Sequence, residues 1–108
     1  MITTTTDFLQ GYEIKQYLGT TTAEVVYGTN ALRDFMAGLR DVFGGRTASY
    51  EKVFEKGQKE ALRELEDRAA RKGADAVIGV QINTDSINID NEGVLFLITA
   101  TGTAVTLK

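Results

Sequence analysis

The 108-residue sequence contains no cysteine, histidine, tryptophan or proline. Without cysteine there is no disulfide framework, no thiolate nucleophile and no zinc–sulfur site. Without histidine there is no Ser-His-Asp triad, no imidazole ligand for a metal ion and no side chain whose ordinary pKa lies near neutrality. These absences exclude the commonest forms of metal binding and of nucleophilic catalysis.

The charge balance and the hydrophobic runs exclude further classes. A formal net charge of −3 argues against a general nucleic-acid binder, because such proteins depend on basic residues. The stretch from Met1 to Asp7 lacks the basic start and the apolar core of a signal peptide. The longest apolar run, Val94 to Ile98, is far shorter than the roughly 20 residues of a membrane span. We therefore expect a cytoplasmic protein with no cofactor and no nucleic-acid or membrane partner.

What remains fits one small domain spanning residues 1–108. The sequence is 43% hydrophobic and 25% charged, which is typical of globular proteins. A chain of this length buries roughly two-thirds of its unfolded surface, which suffices for a thin core. No linker rich in proline or serine and no internal repeat divides the chain.

The first part of the chain reads as two strands. Thr3 to Thr6 indicate a short strand, since threonine favours strands over helices; a frayed terminus is the alternative. Gln10-Gly11 predicts a turn into a second strand, Tyr12 to Tyr27. Gly19 indicates a bend or bulge within that strand.

The middle of the chain has the period of two helices. Asn30 is a candidate N-cap for the first helix, and Gly44-Gly45 ends it. The second helix runs from Thr47 or Ser49 to Lys72, with Gly73 as its C-cap and Glu51 in its first turn. The predicted inner stripe of the second helix is Tyr50, Val53, Phe54, Gly57, Ala61, Leu62, Leu65 and Ala69. The predicted ion pairs on its outer face are Glu55–Lys59, Glu64–Arg68 and Asp67–Arg71.

The last part of the chain reads as two long strands. Val80 and Ile82 are apolar at even positions, whereas Ile87 and Ile89 are apolar at odd ones. This change of parity predicts a bulge or bend between about Asn83 and Ile87. A turn over residues 90–93 then leads into a strand from Val94 to Leu107.

The element order β-β-α-α-β-β predicts an α+β fold, an antiparallel sheet with both helices on one face. Val94 to Ile98 is apolar on both faces and needs cover from both sides, which helices on one face do not supply. The pattern therefore predicts a homo-oligomer whose strands pack or pair across subunits. The alternative is a monomer in which this strand is simply central.

Two polar groups around the helices are candidate functional sites. Gly44-Gly45-Arg46-Thr47 precedes the N-terminus of the long helix, where free N–H groups and Arg46 can hold an anion; a plain C-cap with a paired arginine is the alternative. Arg33-Asp34 and Arg40-Asp41 stand seven residues apart on a similar helix face. They fit a solvated face, a seam of ion pairs between subunits, or a polar pocket with Arg46 and Tyr50.

Four carboxylates are candidate metal ligands: Asp75, Asp85, Asp90 and Glu92. Ligands that offer only oxygen suit hard cations such as Ca²⁺ or Mg²⁺, and for Asp90 to Glu92 a solvated hairpin tip is the alternative. No carboxylate pair at a telling spacing and no activated nucleophile is recognisable. We therefore expect a protein that is not an enzyme, and a carboxylate-dependent enzyme is the alternative.

Several of these motifs together resemble the YbjQ-like family of uncharacterised bacterial proteins, often labelled as heavy-metal-binding. The resemblance covers nearly the whole chain. The stretches that carry it include Gly28-Thr29-Asn30, residues 33–41, Gly44-Gly45-Arg46, Ser49-Tyr50-Glu51-Lys52, residues 73–80 and Gly102-Thr103-Ala104-Val105. The resemblance implies a small α+β fold that assembles as a ring, a homopentamer, and it implies no established activity.

The expected function is a non-enzymatic, ring-forming protein that binds a small ligand or partner at subunit interfaces. The residues expected to form that ligand or assembly site are Arg33, Asp34, Arg40, Gly45, Arg46, Tyr50 and Glu51. The alternative is a metal-binding protein, as the family label suggests. Because thiolates and imidazoles are absent, carboxylates would have to bind the metal.

Overall fold

A computed structural model describes residues 1–28, 30–31, 46–89 and 93–108, with the side chains of residues 46–50 and 89 outside that description. The strands are β1 (Ile2–Thr3), β2 (Ile14–Tyr27), β3 (Ala76–Ile89) and β4 (Gly93–Leu107), and the helix α1 is Arg46–Arg71. Asn30 and Ala31 are helical. The rest of the predicted first helix lies outside the described residues, as do residues 90–92 of the predicted turn.

The four strands form one mixed sheet in the order β1-β3-β4-β2. The expectation of a fully antiparallel sheet is wrong at one edge, because β1 pairs with β3 in parallel. The turn at Gln10-Gly11 exists, with Gly11 at φ 85°. It does not join neighbouring strands, because β1 and β2 lie at opposite edges of the sheet.

The threonines after β1 continue to bond to the edge of β3 without forming a regular strand. The Val80 N–H donates to the carbonyl of Thr4, and the Gly79 N–H donates to that of Thr6. The β3–β4 register shifts between Ile78 and Gln81, and Gly79 at that point has φ 61°. The bulge thus lies here, and the one predicted between Asn83 and Ile87 is wrong, since the register is continuous from Gln81 to Ile89.

Helix α1 packs on one face of the sheet through the predicted stripe. Val53, Ala61, Leu65 and Ala69 are all buried, and the last three join Ala23, Ile98 and Ala100 of the strands in the main core cluster. Gly73 follows the helix at φ 84°, as expected for a C-cap. Glu51 is not in the first turn, because the helix begins at Arg46.

The predicted ion pairs of α1 are present in part. The Arg68 Nε lies 3.0 Å from the Glu64 Oε1, as predicted. Glu55 pairs with Lys52 rather than with Lys59. Because all of these side chains are well exposed, such pairs contribute little to stability.

Two cations at the end of α1, Arg68 in its last turn and Lys72 just after it, cover the free edge of β2. The Arg68 Nη1 donates to the carbonyl of Thr22 at 2.6 Å, and the Lys72 Nζ donates to the carbonyl of Thr20. Thr21, which lies between them, is buried and its hydroxyl bonds to the carbonyl of Leu65. The helix therefore attaches to the edge strand as well as to the face of the sheet.

Candidate functional site

The face of the sheet turned away from α1 carries an exposed apolar group, which we call the outer patch: Val26, Ile87, Leu95 and Leu97. Val26 lies directly opposite Leu97 in the β2–β4 register, and Ile87 lies directly opposite Leu95 in the β3–β4 register. Residues directly opposite each other point to the same face, so the four side chains form one surface across three strands. Val26 is 57% exposed and Ile87 48% exposed.

Strand alternation explains why this patch is on the outer face. Phe96 and Ile98 of β4 are buried, Phe96 against Val53 of α1 and Ile98 in the main core. Their neighbours Leu95 and Leu97 must therefore point the other way. In the described part of the chain the two leucines are only partly buried.

The opposite end of the outer face is covered by the chain itself. There Ala76, Ile78 and Val105 are buried beneath Leu9, Ile14 and Leu107. The segment between β1 and β2 thus shelters one half of this face. Within the described ranges, no element shelters the half that carries the outer patch.

Two of the four residues of the outer patch were predicted from the sequence. Leu95 and Leu97 were predicted from the run Val94 to Ile98, which is apolar on both faces. Ile87 was not predicted, because the parity change was interpreted as a bulge that would turn Ile87 inward. The parity change is itself the signal for an exposed residue. In a strand of unbroken register, even and odd positions face opposite sides of the sheet, so either Ile82 or Ile87 must face outward.

The ligand or assembly site predicted around the glycine pair is not tested by the structure. Arg33, Asp34, Arg40 and Gly45 lie outside the described residues. Arg46 and Tyr50 belong to α1, with side chains outside the description, and Glu51 is exposed on α1.

The candidate metal ligands are placed in part. Asp75 is exposed, and its Oδ2 accepts the N–H of Leu107 at 2.8 Å. Asp85 lies in β3, directly opposite Leu97 of β4. It comes ten residues after Asp75, which corresponds to about 30 Å along a strand. One subunit therefore cannot bring these two carboxylates to the same ion. Asp90 and Glu92 lie outside the description, and among the residues inside it no three metal-ligating side chains cluster.

Tyr27 is a perturbed titratable group at the rim of the core. Burial and the adjacent Glu60 carboxylate, whose Oε2 accepts the phenol proton at 3.1 Å, raise the pKa of Tyr27 from 10.0 to about 12. The phenol therefore stays protonated at neutral pH. This contact fixes β2 to α1 and does not supply a general base.

In the described residues, the fold and the outer patch define a small α+β protein in which the helix α1 packs on a four-stranded mixed sheet. The YbjQ family model, described as "Putative heavy-metal-binding", matches residues 1–108. The chain belongs to this family.

Cyanobacterial proteins are among its relatives. The UPF0145 protein of Nostoc punctiforme is 66% identical over 108 residues, and both chains are covered in full. The UPF0145 protein of Picosynechococcus is 65% identical over 107 residues, 99% of each chain.

A crystal structure has a similar fold. It is that of a protein of unknown function from Pediococcus pentosaceus in the DUF74 family. Its TM-score is 0.62 at 18% identity, covering 100% of this chain and 98% of that one. In the described ranges, no helix has the length and apolar character needed to cross a membrane.

Proposed function

We propose that this protein is a non-enzymatic homo-oligomer in which each copy covers the outer patch of the next, so that the copies close into a ring. A small ligand or partner binds at the subunit interfaces. The observation that carries the proposal is the outer patch, with Val26 and Ile87 about half exposed beside the partly buried Leu95 and Leu97.

The energetics favour covering the patch. Fully burying a valine, leucine or isoleucine side chain contributes about 1.5–3 kcal/mol. Four such side chains on one surface provide a driving force that repeats at every interface of a closed ring.

The outer patch and the two unlike sheet edges give each copy different surfaces to offer to its neighbours. The edge carbonyls of Thr20 and Thr22 in β2 already accept bonds from Lys72 and Arg68. In the described part of the chain, β3 has no neighbouring strand on its free side beyond Val80. A contact that joins unlike surfaces makes rings where the rotation closes, and the family resemblance implies a ring of five.

The chemistry of the chain supports a role without catalysis. The sequence has no histidine and no cysteine, so it offers no imidazole base and no thiol nucleophile. The perturbed Tyr27 has its pKa moved away from neutrality. Binding and assembly need none of these groups.

The test places a charge in the patch and measures the mass of the particle. Ile87→Lys is expected to convert the oligomer to monomers in light scattering coupled to size exclusion, because a lysine buried without a partner is costly. Ser86→Lys is the matched control: Ser86 is also exposed, but it lies opposite Phe96 and so points to the helix side. A wild-type protein that is monomeric at micromolar concentration contradicts the proposal.

The second candidate function, metal binding through carboxylates, is favoured by the position of Asp85. It lies on the outer face opposite Leu97, so the copy that covers the patch would lie close enough to add further oxygen ligands to an ion bound by the Asp85 carboxylate. Titration of the assembled protein with Ca²⁺ or Mg²⁺, with Asp85→Asn as the variant and Asp67→Asn as the control, tests this candidate. Equal responses of both variants contradict it.

A further inference from the structure

A groove of about 410 Å³ lies between β1, β3 and α1. The threonines of residues 3–5 form one wall, and Leu62 and Glu66 of α1 form another. Val80 and Ile82 of β3 form the floor. This volume is within the range of small-molecule sites.

The groove exists because β1 accompanies β3 for only a short distance. Regular pairing covers two residue pairs, and the bulge at Gly79 ends the contact with bonds to Thr4 and Thr6. Ile82 therefore lies beyond the end of β1, under the overhanging side of α1. The short threonine side chains leave the space next to it unfilled.

The floor is apolar and the rim carries one negative charge. Val80 is buried in the main core, and Leu62 and Ile82 pack against it. The Glu66 Oε1 accepts a bond of 2.9 Å from the hydroxyl of Thr3, which fixes the carboxylate at the rim. In the described part of the chain, no lysine or arginine nitrogen lies within salt-bridge distance of Glu66.

We propose that this groove binds a small organic cation, a primary or secondary ammonium group on an aliphatic body. The ammonium pairs with the Glu66 carboxylate, which forms a charge-assisted hydrogen bond. The aliphatic body lies on Leu62, Val80 and Ile82. Because the groove is on the helix side of the sheet, away from the outer patch, this inference is independent of the proposed assembly.

The test is a methyl NMR titration of protein labelled at isoleucine, leucine and valine. The probe is n-pentylammonium, and n-pentanol and pentanoate provide the same body with no charge and with the opposite charge. We expect saturable shifts of the Leu62, Val80 and Ile82 methyls with the ammonium. Binding of the alcohol and the acid is expected to be weaker by about tenfold or more, the value of one charged hydrogen bond.

Variants identify the charge that is responsible. Glu66→Gln is expected to weaken ammonium binding about tenfold, whereas Asp67→Asn, which removes an exposed carboxylate one residue along the helix, leaves it unchanged. The core methyls of Leu65 and Ile98 in the same spectra report whether each variant is folded. If Glu66→Gln does not fold, Glu66→Asp is used, and withdrawal of the carboxylate by one methylene must still weaken binding.

Two results overturn the inference. One is an equal response to pentylammonium and pentanol, which reduces the groove to a non-specific apolar surface. The other is unchanged binding in the folded Glu66 variant. Because the shifts are read within each protomer, they remain interpretable in a protein that proves monomeric, so the failure of the assembly proposal and the failure of this one are distinguishable.

Discussion

At the scale of single residues, Gly57 decides how closely α1 approaches the sheet. A Cβ atom at this position would clash with the Cδ1 of Ile98 and lie 3.1 Å from the Cε2 of Tyr27. Ile98 is fully buried, so its side chain has no free space into which it can move. The glycine is in the helix because Ile98 and Tyr27 of the sheet need the room, although glycine is a poor helix former.

Gly57→Ala is therefore expected to destabilise the protein by about 1 kcal/mol. The gain in helix propensity of about 1 kcal/mol is smaller than the overpacking cost of about 1–3 kcal/mol. Thermal unfolding measures the difference. Lys59→Ala, at an exposed position of the same helix, is expected to change stability by less than about 0.5 kcal/mol. A Gly57→Ala protein more stable than wild type would show that the helix can move outward at little cost.

Tyr27 gives a prediction about pH. Its pKa is raised from 10.0 to about 12 by burial and by Glu60, so the folded state favours the protonated phenol. This stabilisation is complete below pH 10 and is lost as the pH rises from 10 towards 12. Phenolate absorbance of wild type minus Tyr27→Phe is expected to titrate near pH 12. A midpoint for Tyr27 no higher than that of free tyrosine, about 10, would contradict the prediction.

At the scale of elements, the free edge of β2 is protected by the helix. Arg68 and Lys72 bond to the carbonyls of Thr22 and Thr20, so another strand cannot easily pair with them. Unprotected strand edges promote aggregation. The last turn of α1 and the residue that follows it therefore protect the edge of the sheet, while the helix also completes the core.

Replacing both cations, Arg68→Ala with Lys72→Ala, is expected to shorten the lag time of aggregation at raised temperature, monitored by thioflavin T. Lys59→Ala with Arg63→Ala removes the same charge from exposed helix positions and leaves that edge covered. Equal lag times for the two double variants would show that net charge, rather than the edge, controls aggregation.

The predictability of the elements followed the strength of their periodicity. The long helix is confirmed, and both the continuous apolar stripe and the C-cap glycine had indicated it. Its predicted start was wrong by one residue or more, because no strong N-cap marks Arg46. The sheet order was not predictable, since β1 pairs with β3 through only two residues. The bulge was misplaced because it depends on the positive φ of Gly79, which places Val77 and Val80 on the same side of the sheet. A pattern of apolar residues does not reveal a backbone φ angle.

At the scale of the whole molecule, the asymmetry between the two faces of the sheet is the main result. Leu95 and Leu97 were predictable as a surface in need of cover, because the run around them is apolar at every position. The groove at Glu66 was not predictable, because it depends on where β1 ends and on which helix turn lies above it. Tertiary placement of this kind leaves no local signal in the sequence.

The composition of the whole chain gives a prediction about metals. Soft and borderline ions prefer thiolate and imidazole ligands, and the sequence contains neither. Calorimetry with Zn²⁺, Cu²⁺ and Cd²⁺ is expected to show no micromolar binding. Tight, stoichiometric binding of any of these ions would show that the description of the family as heavy-metal-binding applies to this protein.

The position of β4 in the sheet has a consequence for biosynthesis. This strand lies between β3 and β2, yet the ribosome makes it after both of them. Until it emerges, the nascent chain holds two long strands that have no strand between them and a helix that lacks its contacts with β4. Closure of the sheet must therefore wait for late translation, and a ribosome that stalls before residue 93 leaves a chain that needs chaperone protection.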